Sequence, residues 1–161
     1  MTKILRGLRG ATTARANTSE AILQATAELL RALLEANGFQ PEDVESAIFT
    51  SSPDLTAEYP ARAARLLGWR DVPLLGAAEV PVADGLPRCI RVLLHFYTTK
   101  PQRELKHIYL REAAKLRPDR DRWRSRGPSS FRPRAPRAGR PAIRGSTAPT
   151  STTSRATRPG S

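Results

Sequence analysis

The chain has 161 residues, enough for one domain with a hydrophobic core, and a formal net charge of +12. The positive charge is concentrated at one end: residues 118–161 contain eleven arginines and two acidic residues, whereas residues 1–117 contain sixteen basic and thirteen acidic residues. This distribution disfavours a folded nucleic-acid-binding domain. A single cysteine excludes an intramolecular disulfide, and no segment reaches the roughly 18 apolar residues of a membrane span. With no apolar signal segment at the N-terminus, the sequence predicts a cytoplasmic protein without a membrane partner.

The first predicted elements are a strand and a long helix. Lys3 to Thr12 is the strand, and Asn17 is the predicted N-cap of the helix, with Glu20 three residues later completing a capping-box pair. Asn37-Gly38 ends the helix, because glycine readily adopts the left-handed conformation of a C-terminal cap. Between these ends the apolar residues recur at helical spacing and form one stripe: Ile22, Leu23, Leu29, Leu30, Leu33 and Leu34.

Short elements follow up to residue 119. They are a strand from Val44 to Ser52, a helix from Pro60 to Leu67 closed by Gly68, a strand from Val72 to Leu75, a loop from Pro81 to Pro87, a strand from Cys89 to Thr98, a strand from Lys106 to Leu110 and a helical turn from Arg111 to Lys115. The order β-α-β-α-β-β-β is typical of an α/β fold with an α+β mixed sheet. We therefore predict one domain over residues 1–119.

The composition changes after Asp119. Arginine, proline, glycine, serine, threonine and alanine dominate residues 120–161, and the hydrophobic periodicity ends. Such a segment buries too little apolar surface to offset the loss of chain entropy on folding, so a disordered basic C-terminal tail is predicted. Two interpretations stay open: an arm that binds nucleic acid or another polyanion, and a solvated extension without a task, such as an out-of-frame reading of GC-rich coding sequence. The second is preferred, so no nucleic-acid partner is predicted.

Two arginines interrupt apolar strands. Arg91 lies in the middle of the apolar segment 88–94, and alternation places it on one face with Cys89 and Leu93. A guanidinium in such a place loses several kcal/mol of hydration unless an anion compensates it. Arg9 interrupts the first strand in the same way. The pair predicts a pocket for an anion; the alternatives are structural salt bridges or edge-strand arginines that point into water.

The residue types used for acid–base, metal or nucleophilic chemistry are scarce. His95 and His107 are far apart, and no spacing typical of a metal site or of a cofactor-binding glycine loop is present, so no metal or cofactor is predicted. Cys89 lies in an apolar context, which favours a core thiol over a nucleophile. Glu79 leaves an apolar strand for a loop, and Tyr109 lies in the last strand. Taken singly, these two residues have ordinary interpretations as a surface carboxylate and a core aromatic.

A set of short motifs resembles one enzyme family. In chain order, between residues 3 and 119, the set comprises Arg6-Gly7-Leu8-Arg9-Gly10-Ala11-Thr12-Thr13, Pro53-Asp54-Leu55, Tyr59-Pro60-Ala61-Arg62-Ala63-Ala64-Arg65, Val72-Pro73-Leu74, Glu79-Val80, Gly85-Leu86-Pro87-Arg88-Cys89-Ile90-Arg91-Val92, His107-Ile108-Tyr109-Leu110 and Leu116-Arg117-Pro118-Asp119. Each motif is weak alone, but the ordered set is similar to the monofunctional, trimeric chorismate mutases of the AroH class. The resemblance implies an isomerase that converts chorismate to prephenate in aromatic amino-acid biosynthesis, without a cofactor. It also implies a homotrimer that forms a pseudo α/β barrel, with active sites at the subunit interfaces.

The resemblance assigns roles to individual residues. It implies that Arg91 donates hydrogen bonds to the ether oxygen and a carboxylate of the substrate, and that Glu79 receives the ring hydroxyl. The anion that compensates Arg91 is then the substrate rather than a protein group, so without substrate the site is expected to be wet and the guanidinium underpaired. The other implied substrate contacts are carboxylate binding by Arg9 and Tyr109, a wall from the neighbouring subunit formed by Tyr59, Ala61 and Arg65, a contact at Gly76, and a closing C-terminal segment with Leu116 and Arg117. Without the resemblance, Arg65 is equally well explained as part of a solvated helix face.

Some positions depart from the family pattern. Tyr59 stands where phenylalanine is common, which adds a hydroxyl but keeps an aromatic wall, and Gly76 stands where a cysteine or another small residue is common. The segment after Asp119 is longer and more basic than the family's usual end.

An alternative function is that of a non-catalytic trimeric α/β module that binds a small carboxylate with the same arginines. Glu79 discriminates between the two functions, because a carboxylate beside the arginines gives an anion-binding module no advantage.

Overall fold

The computed structural model describes residues 2–118, and the predicted tail, residues 120–161, lies outside them. Within residues 2–118 the chain forms the strands and α-helices β1 Ile4–Thr13, α1 Ser19–Asn37, β2 Val44–Ser51, α2 Ala61–Leu66, β3 Leu74–Ala78, β4 Cys89–Thr98 and β5 Ile108–Tyr109. Short 3₁₀ helices lie at Pro41–Asp43, Gln102–Glu104 and Arg111–Leu116. The predicted order of helices and strands and the mixed α/β class are confirmed. In this part of the chain no helix has the length and apolar character needed to cross a membrane.

The five strands form one mixed sheet in the order β3-β2-β4-β1-β5. β4 lies in the centre and pairs antiparallel with β1 on one side and with β2 on the other. The β2–β3 and β1–β5 pairs are parallel. The β1–β4 pairing is continuous, from Ile4 opposite Thr98 to Thr13 opposite Cys89. The two interrupted strands predicted from the sequence are therefore direct neighbours.

One face of the sheet carries the hydrophobic core. Alternate residues of the strands point to this face and pack against α1 and α2, as the pleat of a β-strand requires. The buried side chains of this core are Leu8, Ala47, Phe49, Ile90, Val92, Leu94 and Phe96 on the strands, and Ile22, Leu29, Leu30, Leu33 and Ala64 on the helices. The predicted apolar stripe of the first helix is confirmed in its centre, whereas Leu23 and Leu34 at its margins are half-buried.

The N-terminal cap of α1 differs from the prediction. The capping residue is Thr18, whose hydroxyl accepts a hydrogen bond from the backbone N–H of Ala21 at 3.2 Å, so the predicted cap at Asn17 is wrong. The Asn17 side chain instead accepts from the backbone N–H groups of Thr56 and Ala57, at 2.9 and 3.0 Å. Asn17 therefore fixes the loop before α2 to the start of α1.

Several other boundaries are close to the predicted ones. Gly38 ends α1 as expected, with φ of 68° in the left-handed region. Pro60 is the N-cap of α2 rather than its first residue. β3 begins later than predicted and extends through Ala78, because its parallel pairing with β2 continues that far. β5 is reduced to two residues, Ile108 and Tyr109, which pair with the middle of β1.

Asn37 connects the end of α1 to the segment that leads into β5. Its side chain is buried, and its Nδ2 donates to the carbonyl oxygens of Leu33 and Lys106, both at 3.0 Å. Its Oδ1 accepts from the backbone N–H of Lys106 at 2.8 Å. Both the nitrogen and the oxygen of this buried amide therefore have hydrogen-bond partners. Through Lys106, Asn37 fixes the position of the chain three residues before Tyr109.

Gly10 allows α1 to lie close to β1. A Cβ atom at Gly10 would stand 2.8 Å from Leu33 Cδ1 and 3.0 Å from Leu29 Cδ1, and neither leucine has room to move because both are fully buried. Replacing Gly10 with alanine is expected to lower the free energy of unfolding by about 1–3 kcal/mol through overpacking. Urea denaturation followed by circular dichroism measures this change.

Gly7, in the same strand, supplies the matched control. A Cβ atom at Gly7 meets nothing within 4 Å, so Gly7→Ala adds a methyl group without a clash. Alanine also restricts the unfolded chain more than glycine does, so the free energy of unfolding should stay unchanged or rise slightly. Equal destabilisation by the two substitutions would show that the close approach of α1 is not what requires glycine at position 10.

The opposite face of the sheet, here called the open face, is not covered by α1 or α2. Its residues include Leu5 and Arg9 of β1, Arg91 and Tyr97 of β4, and Leu75 of β3. Leu5 is 46% exposed, Tyr97 42% and Leu75 60%, and the first two lie opposite each other in the β1–β4 register. The open face thus combines exposed apolar side chains with the two arginines singled out in the sequence.

Candidate active site

The register of four strands brings the predicted site residues together on the open face. Thr50 of β2 lies opposite Arg91 of β4, and Ala11 of β1 lies opposite Arg91 on its other side. Tyr109 of β5 is the next residue in this row, beside Ala11. Arg9 precedes Ala11 by two positions and therefore points to the same face. Residues that are up to a hundred positions apart in the sequence are thus placed within one small region by strand pairing.

A pocket of about 360 Å³ lies over this row. Its volume is within the range of small-molecule sites. The residues that line it are Arg9, Gly10, Ala11, Ile48, Thr50, Glu79, Arg91, Val92, Leu93, Tyr109, Leu116 and Arg117. The structure therefore unites both predicted catalytic residues, both predicted carboxylate ligands and the C-terminal pair in one pocket.

Glu79 stands beside Arg91. Its Oε1 is 3.2 Å from Arg91 Nε and also accepts a hydrogen bond from the hydroxyl of Thr50. Its backbone N–H donates to the carbonyl oxygen of Ser51 at 2.9 Å, which continues the β2–β3 pairing one residue beyond β3. Thr50 lies opposite Arg91 in the β2–β4 register and binds the Glu79 carboxylate. The Glu79 carboxylate, just after β3, therefore lies next to the Arg91 guanidinium.

The environment of Arg91 differs in two respects from the one that the sequence indicated. The side chain does not lie in the hydrophobic core but on the open face, where it is 49% exposed, because the buried face of β4 is the one that carries Val92 and Leu94. The guanidinium does have a protein partner, Glu79, because β3 and β4 lie on either side of β2. Of the alternatives drawn from the sequence, a salt bridge is therefore part of the explanation for Arg91.

Two contacts hold the edge of the pocket at β1 and β5. The backbone N–H of Arg9 donates to His107 Nδ1 at 2.9 Å, which keeps the segment before β5 alongside β1. Just after β5, the backbone N–H of Leu110 donates to the carbonyl oxygen of Ala11 at 2.9 Å. Tyr109 is thus fixed on both sides, although its own strand is only two residues long.

The C-terminal 3₁₀ helix brings Leu116 and Arg117 to the pocket. Arg111 begins this helix with φ of 52°, and its guanidinium donates to the carbonyl oxygen of Thr13 at 3.1 Å and to the carboxylate of Glu28 at 2.6 Å. The start of the C-terminal segment is therefore attached to both β1 and α1.

Four predicted site residues do not line the pocket of the single chain. Tyr59 precedes the N-cap of α2, Ala61 is the first residue of α2, Arg65 lies on α2, and Gly76 lies in β3. Tyr59 is 78% exposed, and Arg65 is exposed as well. Their roles stay predictions, three of which require a neighbouring subunit.

Sequence reasoning did not identify the side chains that bind Glu79 and the backbone at the start of β4. Thr50 donates to Glu79, and Ser52 and Asp54 bind the backbone at the start of β4. The spacing of Ser52 and Asp54 directly after a strand is a signal for side chains that bind nearby backbone groups. That signal was available in the sequence, whereas the Thr50 contact depends on the register of distant strands.

Cys89 is a core thiol, as predicted. Its side chain is buried, and this burial raises the pKa of the thiol, although the nearby Arg91 acts in the opposite direction. The protonated thiol is a poor nucleophile. In residues 2–118 no cluster of three histidine, cysteine, aspartate or glutamate side chains could hold a metal ion.

The fold and the pocket define an α/β protein with a cationic site on one face of a mixed sheet. Residues 5–120 match the family model of chorismate mutase type I. The chorismate mutase AroH of Thermus thermophilus is 55% identical over 117 residues, which cover 72% of this chain and 96% of that protein. The corresponding protein of Bacillus subtilis (strain 168) is 44% identical over 117 residues, which cover 72% and 92%.

A solved structure agrees with these matches. The structure of a chorismate mutase from Clostridium thermocellum superimposes with a TM-score of 0.68 at 41% identity and covers 69% of this chain and 99% of that one. The chain belongs to the chorismate mutase type I family.

Proposed function

We propose that the chain converts chorismate to prephenate in aromatic amino-acid biosynthesis, as a cytoplasmic enzyme. The observation that carries the proposal is the 3.2 Å contact between Glu79 and Arg91 in a pocket that also contains Arg9 and Tyr109. A site that only bound an anion would be weakened by a carboxylate beside its arginine. A site that must bind both carboxylates and a hydroxyl of one substrate uses all four groups.

The reaction is an intramolecular [3,3] rearrangement in which one C–O bond breaks while one C–C bond forms. It transfers no proton to the enzyme and needs no covalent intermediate. The site therefore has two tasks, which are to select the compact diaxial conformer of the substrate and to stabilise the charge separation of the transition state. Both tasks can be done by fixed hydrogen-bond donors and acceptors.

The pocket residues divide these tasks between them. Arg9 and the hydroxyl of Tyr109 bind the carboxylates and hold the reacting carbons together. Arg91 points at the ether oxygen, where negative charge grows as the C–O bond lengthens, so it stabilises the transition state more than the ground state. Glu79 accepts the ring hydroxyl and faces the electron-poor ring. Its contact with Arg91 Nε orients the guanidinium fork before the substrate arrives.

The rest of the site comes from a second subunit and from the chain's own C-terminal segment. We propose that Tyr59, Ala61 and Arg65 of a neighbouring subunit form a wall, with Arg65 at the mouth. Leu116 and Arg117 close over the bound substrate. Gly76 makes a contact through its backbone, which explains why the position tolerates a residue without a side chain.

A homotrimer would complete this arrangement as a pseudo α/β barrel. The proposal is supported by the open face, where the exposed side chains of Leu5, Tyr97 and Leu75 would otherwise remain in water. It is also supported by Tyr59, a large aromatic residue that is 78% exposed in the single chain. Light scattering of the purified protein measures the assembly, and a fully active monomer would overturn the shared site.

The direct test is a spectrophotometric assay of chorismate disappearance with the purified full chain. The expected result is saturable turnover with prephenate as the product. A second sample that ends at residue 119 shows whether residues 120–161 affect the reaction. Binding of chorismate without turnover in both samples would instead support the non-catalytic carboxylate-binding module.

A further inference from the structure

The backbone that leads into β4 has an unusual conformation. Arg88, the residue before the strand, has φ of 49°, in the left-handed region that is unfavourable for residues with a side chain. Its carbonyl oxygen accepts a hydrogen bond from the backbone N–H of Ala14 at 2.9 Å. Arg91 follows only three residues later, in β4.

The turn after β2 binds this backbone from the other side. The N–H of Arg88 donates to both oxygens of the Asp54 carboxylate, at 2.8 Å to Oδ2 and 3.1 Å to Oδ1. The hydroxyl of Ser52 donates to Asp54 Oδ1 at 2.5 Å and accepts from the N–H of Cys89 at 2.9 Å. Two consecutive N–H groups at the start of β4 are therefore held by Asp54 and Ser52.

The charge state of Asp54 suits this role. Burial acts to raise its pKa, but the hydrogen bonds from the Ser52 hydroxyl and the Arg88 amide outweigh burial and hold the pKa of Asp54 below its ordinary value. The carboxylate is therefore ionised at neutral pH. An ionised acceptor makes stronger hydrogen bonds with backbone N–H groups than a neutral one.

The same turn also adjoins Glu79. The carbonyl oxygen of Ser51 accepts the backbone N–H of Glu79 at 2.9 Å. A second cavity, of about 310 Å³, lies between the turn and the two catalytic side chains and is lined by Asp54, Glu79 and Arg91 among others. Residues 51–54 thus fix the backbone on both sides of the Arg91–Glu79 contact.

We propose that Asp54 is a positioning residue for Arg91. By holding Arg88 in its left-handed conformation, Asp54 orients the start of β4 so that the Arg91 guanidinium contacts Glu79 and the ether oxygen of the substrate. The consequence for catalysis rests on the proposed function, whereas the placement of Arg91 does not.

The first test compares Asp54→Ala with Asp54→Asn. Removing the carboxylate is expected to lower kcat about tenfold to a hundredfold with a smaller change in KM, because displacing a group that acts in the transition state costs this much. Asparagine keeps one accepting oxygen for the Arg88 amide, so most of kcat should remain. Equal losses in both variants would assign the effect to the lost charge and overturn the positioning role.

The second test is rescue by glycine. Glycine adopts φ of 49° without support, so Arg88→Gly alone should leave kcat near that of the parent protein. In the Asp54→Ala background, Arg88→Gly should restore kcat to within about threefold of the Arg88→Gly single variant. Additive losses in the double variant would overturn the proposal.

Asp43 supplies the matched control. Its carboxylate also binds a backbone N–H, that of Gln40 at 3.1 Å, and a hydrogen bond from Lys3 lowers its pKa. It does not line the pocket. Asp43→Ala should therefore lower the melting temperature without changing kcat. A drop in kcat equal to that of Asp54→Ala would show that the loss of any carboxylate that binds a backbone N–H has this effect.

A spectroscopic readout separates this proposal from the proposed function. The Nε–H resonance of Arg91 in a ¹⁵N-labelled protein reports its contact with Glu79 and needs no turnover. It should shift in Asp54→Ala and return in Asp54→Ala/Arg88→Gly. An inactive parent protein would overturn the proposed function alone, whereas an unchanged Arg91 resonance in Asp54→Ala would overturn the positioning role alone.

Discussion

Replacing Arg91 with alanine is expected to lower kcat by about 100-fold, because each tenfold of rate corresponds to about 1.4 kcal/mol and a charge-assisted hydrogen bond is worth about 3 kcal/mol. The loss should fall on kcat, since the ether oxygen gains its charge only in the transition state. Arg91→Lys should recover little of it. A single ammonium cannot bridge the ether oxygen and a carboxylate as the guanidinium fork does. Steady-state kinetics of chorismate disappearance measure both constants.

Arg65 is the comparison residue for this prediction. It is exposed on α2, and its proposed place is the mouth of the site, where it attracts and holds the substrate without contacting the breaking bond. Arg65→Ala should therefore mainly raise KM, with kcat little changed. Comparable losses of kcat in Arg65→Ala and Arg91→Ala would refute the different roles assigned to the two arginines.

Mixing two variants that each have a low kcat/KM should restore activity if the site is shared between subunits. Arg91→Ala removes the cation that is proposed to contact the ether oxygen, and Arg65→Glu places a negative charge at the proposed entrance for the dianionic substrate. In mixed trimers some sites receive an intact Arg91 from one subunit and an intact Arg65 from its neighbour. Random equimolar assembly gives each site about a one-in-four chance of this combination, so about one quarter of the parent kcat/KM is expected. Co-expression followed by assay at low chorismate concentration measures it.

The matched control for mixing uses two residues of the same subunit. Arg91 and Glu79 are 3.2 Å apart within one chain, so every site receives both from a single subunit. Mixing Arg91→Ala with Glu79→Ala should therefore restore nothing. Activity in this control, or its absence from the Arg91→Ala and Arg65→Glu mixture, would contradict the proposed division of the site between subunits.

The parts of the fold that local sequence determines could be predicted. The order of helices and strands follows from hydrophobic spacing, and the end of α1 follows from the freedom of glycine at Gly38. The extension of β3 through Gly76 to Ala78 could not be predicted, because glycine and alanine have little intrinsic preference for strands. Pairing with β2 imposes the strand at those positions, and that pairing is a tertiary effect.

The site was predictable in its membership but not in its contacts. Arg91 stood out because a charge interrupted an apolar strand, and the family resemblance added Glu79. That the two meet depends on the registers of β2, β3 and β4, and a shift of one residue would turn a side chain to the other face. The direction of Arg91 also depended on which face the helices cover. Alternation identifies two faces but does not say which one is buried.

The position of β1 between β4 and β5 has a consequence during synthesis of the chain. Neither neighbour exists until roughly 80 further residues have been made, so β1 emerges without a partner, and pairings this distant in sequence form slowly. At the usual pace of translation the unpaired strand waits for several seconds. Arg6 and Arg9 interrupt its apolar residues and Lys3 precedes them, and such charges disfavour the pairing of a lone strand with another polypeptide. We therefore expect Arg9, which is proposed to hold the substrate, also to disfavour aggregation of the nascent chain before the pocket has formed.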